Sequence, residues 1–241
     1  MAVWQERAEL IFKKEGLETL KNSHVLIVGL GGVGSFAAEF ITRAGVGKIT
    51  IVDGDTVDIT NINRQLPALH STVGQHKIDV VGDRLIDINP ELELIRINEF
   101  LSPERTLEIV SKEYDYIMDC IDSVTPKINL IIAAKRKKVK IVSCMGAGGK
   151  MLVSKVVVKD ISKTIVCPLA KQIRKRLKKE KISKGIKAVF STEEADETSL
   201  KLTDGKNYKK SFFGTNSYMP ALFGLYAAET VIHYLLKKEN N

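Results

Sequence analysis

Cysteine is scarce in this chain of 241 residues: Cys120, Cys144 and Cys167 stand far apart, and no two form a CxxC pair. That spacing argues against a disulfide framework and a four-cysteine zinc site, and it fits a reduced, cytoplasmic setting. Long apolar runs are missing too. The best candidate for a membrane span, Ala221 to Leu236, is interrupted by Glu229, Thr230 and His233, so no bilayer crossing is expected. The opening Met-Ala-Val-Trp-Gln-Glu-Arg lacks the basic-then-apolar design of a secretion signal. No GxxxxGK[ST] pattern occurs, which removes the P-loop route to phosphate binding. There is no internal repeat and no separable linker. One domain over 1–241 is therefore expected, with a nucleotide-binding core in 1–150 and a C-terminal extension in 151–241. Acidic residues are outnumbered, 29 against 37 Lys and Arg, leaving a formal net charge of +8. Such a balance suggests a polyanionic partner, although a lysine-rich proteome produces the same figure without one.

What the chain does have is an alternation of short apolar runs and amphipathic segments. Residues 5–20 read as a helix, and His24 to Val28 as a strand that feeds Gly29-Leu30-Gly31-Gly32-Val33-Gly34. An amphipathic segment then leads to a second strand, Lys48 to Val52, ending on Asp53. Helices are expected over 76–88, 103–112 and 126–136, and strands over 93–98, 116–119 and 140–144. Beyond Gly149 the rhythm weakens: strands over 155–160 and 188–190, a basic helix over 168–179, a polar loop over 191–211 and a last helix over 220–236. This order predicts an α/β, Rossmann-like, mostly parallel sheet with helices on both faces, plus a C-terminal α/β extension.

Strand, glycine turn, helix, strand and acidic residue together form a grip for a nucleotide. The glycines permit a tight turn and close approach, phosphate sits on the helix N-terminus, and Asp53 accepts from a ribose hydroxyl. Taken alone, the pattern suits NAD as well as ATP. The residues downstream favour ATP. Asp55 follows Asp53, Asn61-Ile62-Asn63-Arg64-Gln65 lies beyond it, and Gly74-Gln75-His76-Lys77 opens a helix. Arg64 and Lys77 bring the positive charge that a triphosphate requires. Asp119-Cys120-Ile121-Asp122-Ser123 falls at the end of another strand, and Asp122 can supply the carboxylate of a magnesium site. Asp119 itself reads as a strand terminus.

These motifs resemble those of the ubiquitin-activating-enzyme-like superfamily in its ThiF and MoeB type. The shared marks are the GxGGxG loop, the D-x-D-x-V…N-x-x-R-Q run, the lysine at a helix start and the D-x-x-D-[SN] strand end. Within that superfamily the chain is most similar to the tRNA threonylcarbamoyladenosine dehydratases. The narrower likeness rests on Ile121-Asp122-Ser123-Val124-Thr125-Pro126-Lys127, Gly146-Ala147-Gly148-Gly149 and Asp160-Ile161-Ser162-Lys163-Thr164. Val189-Phe190-Ser191-Thr192-Glu193 and the run from Gly214 to Pro220 add to it. The resemblance implies ATP-dependent adenylation of a carboxylate on a modified adenosine beside a tRNA anticodon, then ring closure with loss of AMP. By motif position it implies that Gly29, Gly31, Gly32 and Gly34 hold the α-phosphate and Asp53 the ribose, with Asp55 and Gln65 in the same nucleotide site. It gives Asn61, Arg64 and Lys77 the β- and γ-phosphates and Asp122 the Mg2+. It also implies a homodimer in which Arg7 reaches a phosphate across the interface, and allows a monovalent cation, Na+ or K+.

Two departures stand out. Trp4 replaces the first arginine of the family's N-terminal pair, and Cys167 precedes Pro168-Leu169-Ala170 where Asp is common. Family members often have a cysteine tied to sulfur-transfer partners; none of Cys120, Cys144 and Cys167 is assigned that task. The helix from Lys171 to Lys179 is either a solvated face or a contact for tRNA phosphates through Lys171, Arg174, Lys175 and Lys178. Lys135-Arg136-Lys137-Lys138 would edge the same footprint. His24 and His233 are expected to be structural, His70 and His76 to lie in loops or on the surface. Two other activities stay open from sequence: adenylation of a small carrier protein's C-terminus, and an NAD-binding oxidoreductase or sensor.

Overall fold

A computed structural model of the chain describes residues 3–202 and 211–237. A helix kinked at Lys13, α1 (Glu6–Lys21), leads into β1 (His24–Val28); α2 (Gly34–Arg43) and β2 (Lys48–Val52) follow. Then come α3 (Lys77–Ile88), β3 (Glu93–Ile97), α4 (Pro103–Ile109), β4 (Tyr116–Asp119), α5 (Val124–Lys137) and β5 (Lys140–Cys144). The C-terminal third supplies β6 (Val156–Asp160), α6 (Pro168–Lys179), β7 (Lys187–Ser191), β8 (Leu200–Leu202), β9 (Ser211–Phe213) and α7 (Met219–Lys237).

Seven strands form one sheet in the order β3-β2-β1-β4-β5-β7-β6, parallel except for β6, which runs against β7. The extension therefore continues the sheet of the core, through pairing of β7 with β5. Side chains alternate across the pleat. Val25, Ile27, Ile49, Ile51, Met118 and Val142 pack under α2, α3 and α7 on one face. Leu26, Val28, Ile117 and Ile141 meet α5 and α6 on the other. The order reverses between β2 and β4 around β1, and a crevice opens at such a switch, beyond the carboxyl ends of the strands.

Several expectations need adjustment. The polar stretch expected to be a loop over 191–211 contains a 3-10 turn, Glu197–Ser199, and β8, and ends on the first residue of β9, the antiparallel partner of β8; residues 203–210 of that stretch lie outside the described ones. Helix α5 begins at Val124, before Pro126, because proline is tolerated in a first helical turn, where its missing N–H has no intrahelical partner. Lys155 belongs to a 3-10 turn ahead of β6, and α4 stops at Ile109. By length and composition alone α7 is apolar enough to cross a membrane, a test that the buried helix of a globular core also passes. Its buried stripe, Met219, Phe223, Ala227, Val231 and Leu235, packs into the core against α1 and α2. His233, expected to be structural, instead lies on the surface beside Glu229.

Candidate active site

The glycine turn divides its labour. Gly29 has φ +90°, and a Cβ there would lie 3.0 Å from the Cys120 carbonyl. A Cβ on Gly34 would sit 1.7 Å from the Gly29 carbonyl, and one on Gly32 would press on the Arg64 carbonyl and on Pro220. These three are small because the protein itself fills the space. Gly31 differs: a Cβ there would meet only the Gln65 amide, at ordinary contact distance. Its missing side chain leaves room in front of α2, whose first turn is capped by no side chain. Uncapped N–H groups at the positive end of a helix suit a phosphate.

Asp53 closes the floor of the turn. The Leu30 N–H donates to its Oδ2 at 2.6 Å and the Asp55 N–H to its Oδ1 at 2.8 Å. Burial pushes the Asp53 carboxyl above its ordinary range, opposed by these two N–H groups and by Lys77. Each oxygen retains a lone pair for a ribose hydroxyl. The next segment is zipped to the start of α3: Lys77 N–H bonds the Asp55 carbonyl, Val57 N–H the Gln75 carbonyl, and Gly74 N–H the Val57 carbonyl. Such pairing aims Lys77 inward. Its side chain is 5% exposed, and its Nζ donates to Asp55 Oδ2 at 2.5 Å. A lysine at the positive end of a helix is disfavoured unless an anion faces it, and Asp55 provides that anion in the free protein.

Asn61 is buried in the turn after Asp58, and its carbonyl accepts from the N–H groups of both Arg64 and Gln65. That turn presents the Gln65 amide to Gly31. Gln65 Oε1 is buried without a hydrogen-bond partner, the kind of orphan a nucleotide hydroxyl or amine would satisfy. Arg64 turns back on its own loop, donating to the Thr60 carbonyl and to Asn63 Oδ1, both at 2.8 Å. The open cradle at Gly31, the orphaned amide and the inward lysine together fit ATP.

The end of β4 forms the opposite wall. Asp119 does more than end a strand: it and Lys127 form an ion pair of 2.8 Å with both side chains 0% exposed. Lys127 Nζ also donates to Ser143 Oγ at 3.2 Å and to the Cys144 carbonyl at 2.9 Å, so all three ammonium protons are used. Ser143 Oγ donates to Asp119 Oδ2 at 2.6 Å, and Ile121 N–H to Asp119 Oδ1 at 3.2 Å. Burial raises the Asp119 carboxyl against the pull of Lys127, Ser143 and that N–H. The clasp ties the ends of β4 and β5 together and fixes the loop that carries Asp122. A signal for it exists in sequence: Lys127 stands four residues before Ile131 and seven before Ala134, on the inward stripe of α5. Asp122 lies exposed at the head of α5, accepting from Ser123 Oγ at 3.2 Å. Among the described residues no group of three or more His, Cys, Asp or Glu could hold a metal alone. Mg2+ fits here only as an ion shared between Asp122 and phosphate oxygens, its usual manner of binding.

The sequence profile of the ThiF family matches residues 5–241. The chain belongs to the ThiF family. This ThiF-family chain is 42% identical over 242 residues to the tRNA threonylcarbamoyladenosine dehydratase of Bacillus subtilis, covering 96% of this chain and 94% of that one. It is 36% identical to the Escherichia coli protein of the same name, covering 98% and 95%. The crystal structure of E. coli tRNA N6-threonylcarbamoyladenosine dehydratase in complex with ATP superimposes with a TM-score of 0.89 at 34% identity, over 100% of this chain and 98% of that one. In the ThiF-family chain the glycine loop, Asp53, Asp55, Asn61, Gln65, Lys77 and the Asp119–Asp122 loop meet at one sheet edge. Arg7 does not join them: it is exposed in the first turn of α1. Lys171, Arg174, Lys175 and Lys178 line a separate groove along α6.

Proposed function

We propose that this protein uses ATP to activate the threonyl carboxylate of N6-threonylcarbamoyladenosine in tRNA and closes it into a ring, with net loss of water. A carboxylate oxygen attacks the α-phosphorus; the bond from that phosphorus to the bridging oxygen breaks, and pyrophosphate leaves. An atom of the same modified side chain then attacks the activated carbonyl carbon, and AMP departs. No protein nucleophile is needed. The chain's task is to hold phosphates and carboxylate in line and to neutralise charge. Gly31 and the first turn of α2 receive the α-phosphate, Asp53 the ribose, and Lys77, with Asn61 and Arg64, the outer phosphates. Arg64 exchanges its two local acceptors for phosphate oxygens in this reading, and Lys77 leaves Asp55. Asp122 shares a Mg2+ with the triphosphate. A second copy of the chain supplies Arg7.

The observation that carries this reading is the pairing of an inward lysine with an open glycine cradle, in a chain matched along its whole length by a dehydratase that binds ATP. The test is AMP release from ATP and Mg2+ with threonylcarbamoyladenosine-bearing tRNA, set beside the same assay with a carrier protein ending in a free carboxylate. Stimulation by the modified tRNA alone is expected; stimulation by the carrier alone would overturn the reading. Asp122→Ala is expected to lower AMP release by about 10²-fold or more while the melting temperature holds. Unchanged turnover would remove Asp122 from the metal site.

A further inference from the structure

We infer that the groove along α6 holds the phosphodiester backbone of the tRNA substrate, an inference that rests on the function proposed above and adds a surface to it. Helix α6 has the sequence Pro-Leu-Ala-Lys-Gln-Ile-Arg-Lys-Arg-Leu-Lys-Lys, with no acidic residue. Its buried stripe, Ala170, Ile173 and Leu177, fixes its rotation against the sheet and α5. One residue further round, Lys171, Arg174, Lys175 and Lys178 stand at i, i+3, i+4 and i+7, a single cationic face. That face is concave. It lines a groove of about 420 Å³ together with Ser162 and Ser183, over an apolar floor of Ile161, Leu177 and Ile182.

The charges in the groove are available. Asp160, the acid beside it, is already engaged: its Oδ1 accepts from Ser162 N–H and Oγ at 3.0 and 2.7 Å, its Oδ2 from Gly185 N–H at 2.7 Å. Glu180, just past the helix, faces Arg136 at 3.7 Å. Among the described residues, no carboxylate lies within ion-pair distance of Lys171, Lys175 or Lys178. Arg174 gives the groove a fixed wall, because its Nη1 donates to both the carbonyl and the hydroxyl of the buried Thr164. A purely solvated face calls for neither the concavity nor the anchored arginine. Protein interfaces exclude charge from their centres, whereas a phosphate backbone wants a row of unpaired cations and hydroxyls.

Helix α6 links this groove to the nucleotide site. The N-terminal end of α6 abuts the glycine segment after β5, with Leu169 Cβ 4.0 Å from where a Gly146 Cβ would stand. Arg176 Nη1 donates to Thr125 Oγ1 at 3.1 Å, in the first turn of the helix that begins just after Asp122. From Lys171 to Lys178 the face runs about 10 Å along the helix axis. The groove's serines, Ser162 and Ser183, lie beyond Asp160 and ahead of Lys187, toward the amino edge of the sheet, so a tRNA strand held there reaches the end of β4 along the length of α6.

The test uses the full chain with Lys171→Ala, Lys175→Ala and Lys178→Ala combined; all three side chains are exposed, so the fold is kept. Binding of threonylcarbamoyladenosine-bearing tRNA is followed by fluorescence anisotropy across a salt titration, and AMP release gives KM for tRNA and kcat separately. The expected result is a KM for tRNA raised about tenfold or more, and a log–log salt slope flattened by about two to three. An unchanged KM and slope would overturn the inference, as would loss of affinity for an acidic carrier protein with tRNA binding intact. If the wild-type protein binds tRNA through these lysines but releases no AMP with it, the groove stands and the proposed reaction falls.

Discussion

Lys127→Met is expected to lower the free energy of unfolding at neutral pH by about 3–5 kcal/mol, the cost of leaving one member of a buried ion pair alone. The ammonium satisfies Asp119, Ser143 and the Cys144 carbonyl at once, and methionine satisfies none of them. The deficit should shrink as pH falls. Without Lys127 the Asp119 carboxyl, already raised by burial, rises further. A carboxyl whose folded pKa lies above its unfolded one stabilises the fold at low pH and loses that contribution as pH climbs through the folded value. Adding Asp119→Leu should recover part of the loss, since an apolar pair replaces two charges, although the Ser143 hydroxyl, the Cys144 carbonyl and the Ile121 N–H each lose a partner. Urea midpoints at pH 5 and pH 7.5 check the argument. A neutral-pH loss under about 1 kcal/mol, or a double variant no better than the single one, would show that the clasp contributes little.

Lys77→Met should act in the opposite way, severe for catalysis and mild for the fold. The lysine is buried but its partner Asp55 is 55% exposed, so water replaces the lost ammonium around Asp55 at small cost. AMP release should fall about 10²–10³-fold, the usual effect of removing one preorganised charge from a transition state that gathers negative charge. If the ammonium helps expel pyrophosphate, the loss appears in kcat at saturating ATP. A rise in KM for ATP with kcat unchanged would mean that it only helps bind the ground state. A wild-type rate would remove Lys77 from the triphosphate altogether.

Much of this architecture is legible in the sequence because local pattern and global fold agree. The run Val25–Val28 is apolar throughout, as a strand buried on both faces tends to be, and β4 and β5 each have an apolar centre, Tyr116–Met118 and Ile141–Val142. The nucleotide grip shows through its glycines, since each contact that forbids a Cβ leaves a Gly in the text. Other features hide because the forces behind them act across distance. The place of Lys127 on the inward stripe of α5 is the one trace of the clasp in the sequence, and its partners show only when the sheet brings Asp119 and Ser143 over it. The pair β8–β9 is too short and too exposed to show an alternation. Lys77 taken alone reads as a solvated residue, and only the zipper between residues 55–57 and 74–77 turns it inward. Arg174 looks like one more surface cation until Thr164 is placed beneath it.

The close approach of α7 to the glycine turn has a consequence for biosynthesis. Pro220 presses on Gly32, and a Cβ on Gly224 would stand 2.5 Å from the Val33 carbonyl. The turn that receives phosphate is thus braced by residues from the far end of the sequence. A nascent chain emerging from the ribosome can pair β1 with β2 early, yet its grip on ATP stays unbraced until residue 224 has been translated and docked. Contacts of such long sequence separation form late, because the loop entropy must be overcome first. Retention of ATP is therefore expected only after α7 has docked, and a chain ending before Met219 should not retain it.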